Sequence, residues 1–258
     1  MFNFKRLGRC SLGITIRRLT LALVLTGASC VALGGGPSNT TKEEMAMTPR
    51  YCPDSQGWGS ERSGTPDAPS AAAKRWIAMM GPGFWAIHHY CWGLIHLQRA
   101  LRTGTPPHIR KGLLESVIGD YYYVVNNTKS DFVLLPEIYT RIGEAQLHLS
   151  RPNEASKAFA QARALKPDYW PAYSHWAEFL MKSGKKAEAK QVVKAGLEYS
   201  PNSKVLAEQY RLLGGKQADI VPKVIEAAPA SDGRETSSPR ATPYKASTDA
   251  PPAGIAGQ

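Results

Sequence analysis

Between residues 71 and 215, apolar side chains recur three or four positions apart, the spacing that gathers them on one side of an α-helix. Residues 106–125 show this most plainly. Ile109, Leu113, Leu114, Val117, Ile118, Tyr121 and Val125 share a face, and Thr105 stands at the N-cap position. Pro106 suits the first helical position, where its missing N–H would have no partner anyway. No apolar–polar alternation of strand length accompanies the pattern. The body is therefore predicted to be all-α.

The flanks have a different texture. Residues 1–18 carry Lys5, Arg6, Arg9, Arg17 and Arg18 and no acidic residue. A short apolar run at 19–25 and several small residues follow, which is the organisation of a secretory leader ending at residue 29. That run is too short for a bilayer, which takes roughly 20 apolar residues. Residues 30–70 are rich in Gly, Pro, Ser and Thr and are predicted as a flexible spacer. Residues 216–258 hold six prolines and no Trp or Phe, so they have little to bury and are predicted as a disordered tail. These divisions leave a helical unit at 71–135 and another at 136–215.

Within 136–215 the chain repeats itself. Residues 152–167 align with 186–201 at an offset of 34, which sets Ala155 on Ala189, Phe159 on Val193, Ala162 on Gly196 and Pro167 on Pro201. The same offset sets Gly143 on Ala177 and Glu144 on Glu178. Small residues let paired helices approach closely, the aromatic fills the space beside them, and proline ends the second helix. This pattern resembles the tetratricopeptide repeat, in units at 136–169 and 170–203. A divergent unit precedes them at an offset of 37, with Ile118, Tyr122, Val125 and Ser130 against Ala155, Phe159, Ala162 and Pro167. Its first helix is expected at 83–102, with Trp92-Gly93 at the small-residue position, and residues 203–213 are expected to close the array before Gly214-Gly215.

The resemblance implies a solenoid of helical hairpins with a groove that binds a protein or peptide partner. The family's groove positions fall on Glu137, Thr140, Arg141, Glu144, Leu147 and His148 in one unit, and on Pro171, Ser174, His175, Glu178, Met181 and Lys182 in the next. Glu144 and Glu178 take the same place in successive units, so two carboxylates are expected along the groove, facing a basic or mixed-charge peptide. The same residues also have the spacing of local i,i+4 pairs. Lys186, Lys190 and Lys194 are four apart and read as a solvated outer face.

Other features concern location and chemistry. Gly27-Ala28-Ser29-Cys30 resembles a bacterial lipobox, which implies a lipid on Cys30 and an outer-membrane anchor facing the periplasm. Together with the repeats, this implies an anchored scaffold similar in kind to lipoproteins that help assemble outer-membrane proteins, pili or exported polysaccharide. Cleavage near Ala28 or Ala32 without lipid is the other end of such a leader, and it leaves a soluble periplasmic protein. The leader carries five positive charges, so +11 falls to +6 in a mature chain of 229 residues. That modest excess does not call for nucleic acid. Cys52 and Cys91 remain as a disulfide candidate for an oxidising compartment.

Residues 84–96 set His88, His89, Cys91 and His96 among aromatics. His88 and Cys91 have i,i+3 ligand spacing, but a metal needs three or four convergent ligands and no second cluster supplies them. No metal or cofactor is expected, and a soluble protein using 84–96 as a ligand or metal site stands as the alternative. The chain has no nucleophile elbow, phosphate loop, HExxH or CxxC, and it reads as non-enzymatic.

Overall fold

The computed structural model describes residues 36–58 and 60–224; the leader, Cys30 and residues 225–258 lie outside them. The helices in chain order are α1 (Lys42–Ala46), α2 (Ser60–Ser63), α3 (Ala71–Met80), α4 (Ile87–Leu101), α5 (Pro107–Asn126), α6 (Leu135–His148), α7 (Pro152–Leu165), α8 (Trp170–Lys182), α9 (Lys186–Tyr199) and α10 (Lys204–Leu212). No β-strand appears among the described residues. Helices α4/α5, α6/α7 and α8/α9 form three successive hairpins, and α10 packs on α8 and α9. The result is a helical-hairpin solenoid.

Two glycines set how the first two hairpins close. A Cβ on Gly143 would lie 2.8 Å from the Phe159 ring, and one on Gly93 would lie 2.4 Å from the Tyr121 ring. Each ring is fully buried, pressed onto helix backbone that only glycine leaves bare. This corrects the upstream alignment. The counterpart of Phe159 is Tyr121, one residue before Tyr122, so buried Val117, Tyr121 and Val124 match Ala155, Phe159 and Ala162 at an offset of 38. Tyr122 and Val125 are only partly buried. The extra residue is taken up where the chain leaves α5, before the motif 129–132 returns to the offset of 37.

The start of α5 also differs from expectation. Thr105 does not cap it: its hydroxyl donates to the Arg99 carbonyl at 2.9 Å, and Pro106 is the capping residue with Pro107 in the first turn. Ile109, expected on the apolar face, is 47% exposed, and its neighbours in the first turns of α5 are exposed as well. The closing helix begins close to where it was expected, with the Ser203 hydroxyl accepting from the Leu206 N–H.

Both flanks fold further inward than their composition suggests. Residues 36–58, predicted as spacer, lie against α4. Glu44 caps α1 from inside its own turn and is 2% exposed, accepting hydrogen bonds from Arg99 and Arg102. The Arg99 hydrogen bonds hold its carboxyl down at about 2 against the opposing effect of burial. Cys52 and Cys91 form a disulfide with Cα atoms 5.6 Å apart, and Trp76 on α3 donates to Asp54 at 2.9 Å. At the other end, residues 216–224 depart from the disordered tail. Ile220 packs with Leu206 and Tyr210, and Lys223 pairs with Glu198 while lying over the Tyr199 ring. Lys190, placed on the outer face, donates to the Gly214 carbonyl at 2.9 Å.

The core has two parts, one running from α3 to the start of α8 and one joining α8, α9 and α10, with Trp176 packed against both. Phe159 is central to the first part and its ring centroid is 5.8 Å from that of Trp176. Replacing Phe159 with Ala should cost about 3–5 kcal/mol in urea unfolding, with the cavity loosening Trp176 as well. A loss under about 1 kcal/mol would show that α6 and α7 are not held together at this ring.

Candidate functional site

Helices α6 and α8 lie side by side and bound an open cleft of about 300 Å³. Its walls are Glu144, Leu147 and His148 from α6 and His175, Glu178, Phe179 and Lys182 from α8. These residues recur on one face because both helices run through the same repeat positions, which fall three or four apart. Leu147 and Phe179 supply a half-buried apolar floor, and the ring of Phe179 is stacked on Trp176 with centroids 5.2 Å apart. Such a site offers one apolar contact framed by groups of both charge signs.

The groove positions carried over from the repeat divide into two sets. Glu144, His148, His175, Glu178 and Lys182 line the cleft. Thr140 and Ser174 do not: both are buried, with the Thr140 hydroxyl donating to the Pro136 carbonyl at 2.8 Å and the Ser174 carbonyl accepting from Gln209. Both sit deep because the fifth position of the repeat turns toward the neighbouring helix. Glu137 and Arg141 lie one turn upstream of the cleft, toward α4. Phe179 was not singled out by the repeat positions; its signal in the sequence is an aromatic three residues after Trp176, where it can stack on that ring.

The carboxylates are engaged within the protein. Tyr90 on α4 donates to Glu137 at 2.7 Å, Arg141 lies 3.7 Å from Glu137 and donates to Glu144 at 3.1 Å, and His175 reaches Glu144 at 2.9 Å. This chain of alternating acid and base links α4, α6 and α8. Burial pushes the Glu144 carboxyl up, but the His175 hydrogen bond and the nearby Arg141 outweigh it and hold the group below its ordinary value. Burial likewise lowers Arg141, and the surrounding Glu144 and Glu137 raise it overall. Glu178 pairs with Lys182 at 2.6 Å, one turn along its own helix. The cleft therefore presents ion pairs with free lone pairs and N–H groups, rather than two bare carboxylates.

Within residues 84–96 the histidine side chains are engaged inside the protein. The Cys91 sulfur is bonded to Cys52, which removes the thiolate that a metal would need. The His88 Nδ1 donates to the Trp85 carbonyl at 2.9 Å, and burial followed by the neighbouring His89 pushes this imidazole down to about 4. His89 and His96 both turn their Nδ1 to Asp120, at 2.8 and 3.0 Å, and His89 stacks on Tyr123. Among the described residues, no group of three or more His, Cys, Asp and Glu side chains is placed to hold a metal ion. None of the described helices is long and apolar enough to cross a membrane.

Comparison with protein families bears on the second half of this architecture. The family model described as "Tetratricopeptide repeat" matches residues 146–209. That stretch is similar to tetratricopeptide repeats. It runs from the last turn of α6 into α10, and so takes in one wall of the cleft completely. No curated protein and no solved structure matches the chain. Tetratricopeptide repeats typically serve as scaffolds that engage other proteins, and residues 146–209 share their pattern.

The ion-pair chain can be tested by pH. With a folded value below the ordinary one, Glu144 contributes stability that is present above the usual carboxylate range and is lost as pH falls through its folded value. Glu144→Gln should cost about 1–3 kcal/mol at neutral pH and much less near pH 3, measured by urea unfolding at each pH. An equal cost at both pH values would mean that the pairing does not depend on the charge.

Proposed function

We propose that the chain is an exported adaptor, anchored by a lipid on Cys30, that holds a protein partner through the cleft between α6 and α8. The observation that carries this is the cleft itself: an apolar floor of Leu147 and Phe179 framed by Glu144, Glu178, His148, His175 and Lys182. The partner it suits is an extended segment with one apolar side chain for the floor and a basic group beside it. That base would find Glu178 easiest to engage, since this carboxylate is 52% exposed and pairs with Lys182, itself exposed.

Two features support a place in the envelope. The leader and lipobox-like Gly27-Ala28-Ser29-Cys30 suit export and acylation, and several acyl chains hold a protein to a membrane where one does not. A buried disulfide suits an oxidising compartment. A role in assembling outer-membrane proteins, pili or exported polysaccharide belongs to the same reading. The rival use of residues 84–96 as a metal site in a soluble protein has lost its sulfur ligand to the disulfide.

The test is cross-linking in cells, purification from detergent-solubilised membranes, and mass spectrometry of the partners and of the N-terminus. The variant Phe179→Ala with Glu178→Lys should lose at least about tenfold of the recovered partner, a change of about 1.4 kcal/mol, while its helicity stays that of the wild type. Full recovery of the same partner would remove the cleft from the account. An unacylated N-terminus in the soluble fraction would remove the anchor and leave the cleft.

A further inference from the structure

The three hairpins carry equivalent positions along their inner face, and the first one is not open. Taking Gly93, Gly143 and the equivalent Ala177 as the common reference, the residue two before each is Cys91, Arg141 and His175. The side chains of Arg141 and His175 are 37% and 39% exposed, whereas Cys91 is 0% exposed. The position four residues earlier repeats the contrast: Ile87 is 0% exposed and Glu137 is 31% exposed. What covers the first hairpin is the chain's own N-terminal segment.

That segment runs out along α4 and back again. Gly36 and Gly57 both lie against the Trp92 indole, closely enough that a Cβ on either would meet the ring at 2.6 or 2.5 Å. Between them the chain reaches Arg99, which donates to the Asn39 carbonyl and to Glu44. It then returns to Cys52, joined to Cys91. Tyr51, beside the disulfide, packs edge-on to Trp76 and lies near Glu137 and Arg141 at the edge of the next hairpin. A carboxylate held by two arginines and an aromatic at the border are contacts that a bound peptide would make, and the disulfide adds a covalent link on the floor.

We propose that residues 36–58 are an internal ligand that fills the first third of the groove, so that a partner is confined to the α6–α8 cleft. This rests on the groove reading given above and deepens it. The segment reaches the second hairpin at Tyr51, beside Glu137 and Arg141, and the partner is thereby limited to a short stretch rather than one threading all three hairpins.

Thiol reactivity tests this without any partner, so its outcome is separable from that of the cleft. In the full chain carrying Cys52→Ser and Glu44→Gln, the disulfide and the charge on Glu44 are gone, and Cys91 is a free thiol on the floor. Its alkylation, read by mass spectrometry, should run at least about tenfold faster than in the Cys52→Ser single variant, where the Glu44 pairs keep the segment seated. A synthetic peptide of residues 41–58 with Cys52→Ser, added in trans, should slow the reaction in the double variant again. Equal slow rates in the two variants would overturn the proposal, because something other than this segment would then be covering Cys91. So would a fast rate that the peptide does not change. If the double variant loses helicity, the single variant decides: fast alkylation in a chain of wild-type helicity, with Glu44 still paired, would equally overturn it.

Discussion

The close approach of helix backbone to aromatic ring at Gly93–Tyr121 and Gly143–Phe159 is the contact on which the rest of the structure depends. A flat ring resting on bare backbone fixes both the separation and the rotation of the two helices in a hairpin. Once two hairpins share that geometry, their first helices present the same positions to the same side. The groove is therefore a consequence of core packing. A side chain larger than glycine at either site would have to displace a ring that is fully enclosed.

Given that geometry, electrostatics decides what the inner face offers. Tyr90, Glu137, Arg141, Glu144 and His175 form one chain of hydrogen bonds and ion pairs across three helices, and each group compensates the burial of the next. Groups tied up in this way are costly to pull apart, because removing one partner leaves the other buried without compensation. They hold the hairpins in line. The free capacity for recognition lies further along, at Glu178, Lys182 and His148, which are exposed, and at the apolar edge of Phe179.

The N-terminal segment shows how few anchors are needed to turn a polar stretch into structure. Beside the packing of Tyr51, it is held by one disulfide, one buried carboxylate with two arginines, and a tryptophan hydrogen bond. A covalent link between residues 52 and 91 removes conformational freedom from the unfolded chain, a benefit that does not require a large core. The same segment takes away the surface of α4 that would otherwise face a partner.

Local pattern was enough to determine the all-α body, the 34-residue repeat and the closing helix, because helical periodicity and small-residue spacing are written within single turns and single hairpins. It also brought Glu144, His148, His175, Glu178 and Lys182 onto one face, since those positions follow from the repeat. Only the tertiary structure decided the matters that depend on distance between separate elements. It set Tyr121 rather than Tyr122 beside Gly93, a one-residue difference that rotates a ring by about 100° around its helix. It turned Thr140 and Ser174 inward, paired Glu144 with His175 on the next hairpin, and closed Cys52 on Cys91. Residues 36–58 and 216–224 read as polar and loop-like in sequence because their order comes from a few long-range contacts, and such contacts leave no period in the chain.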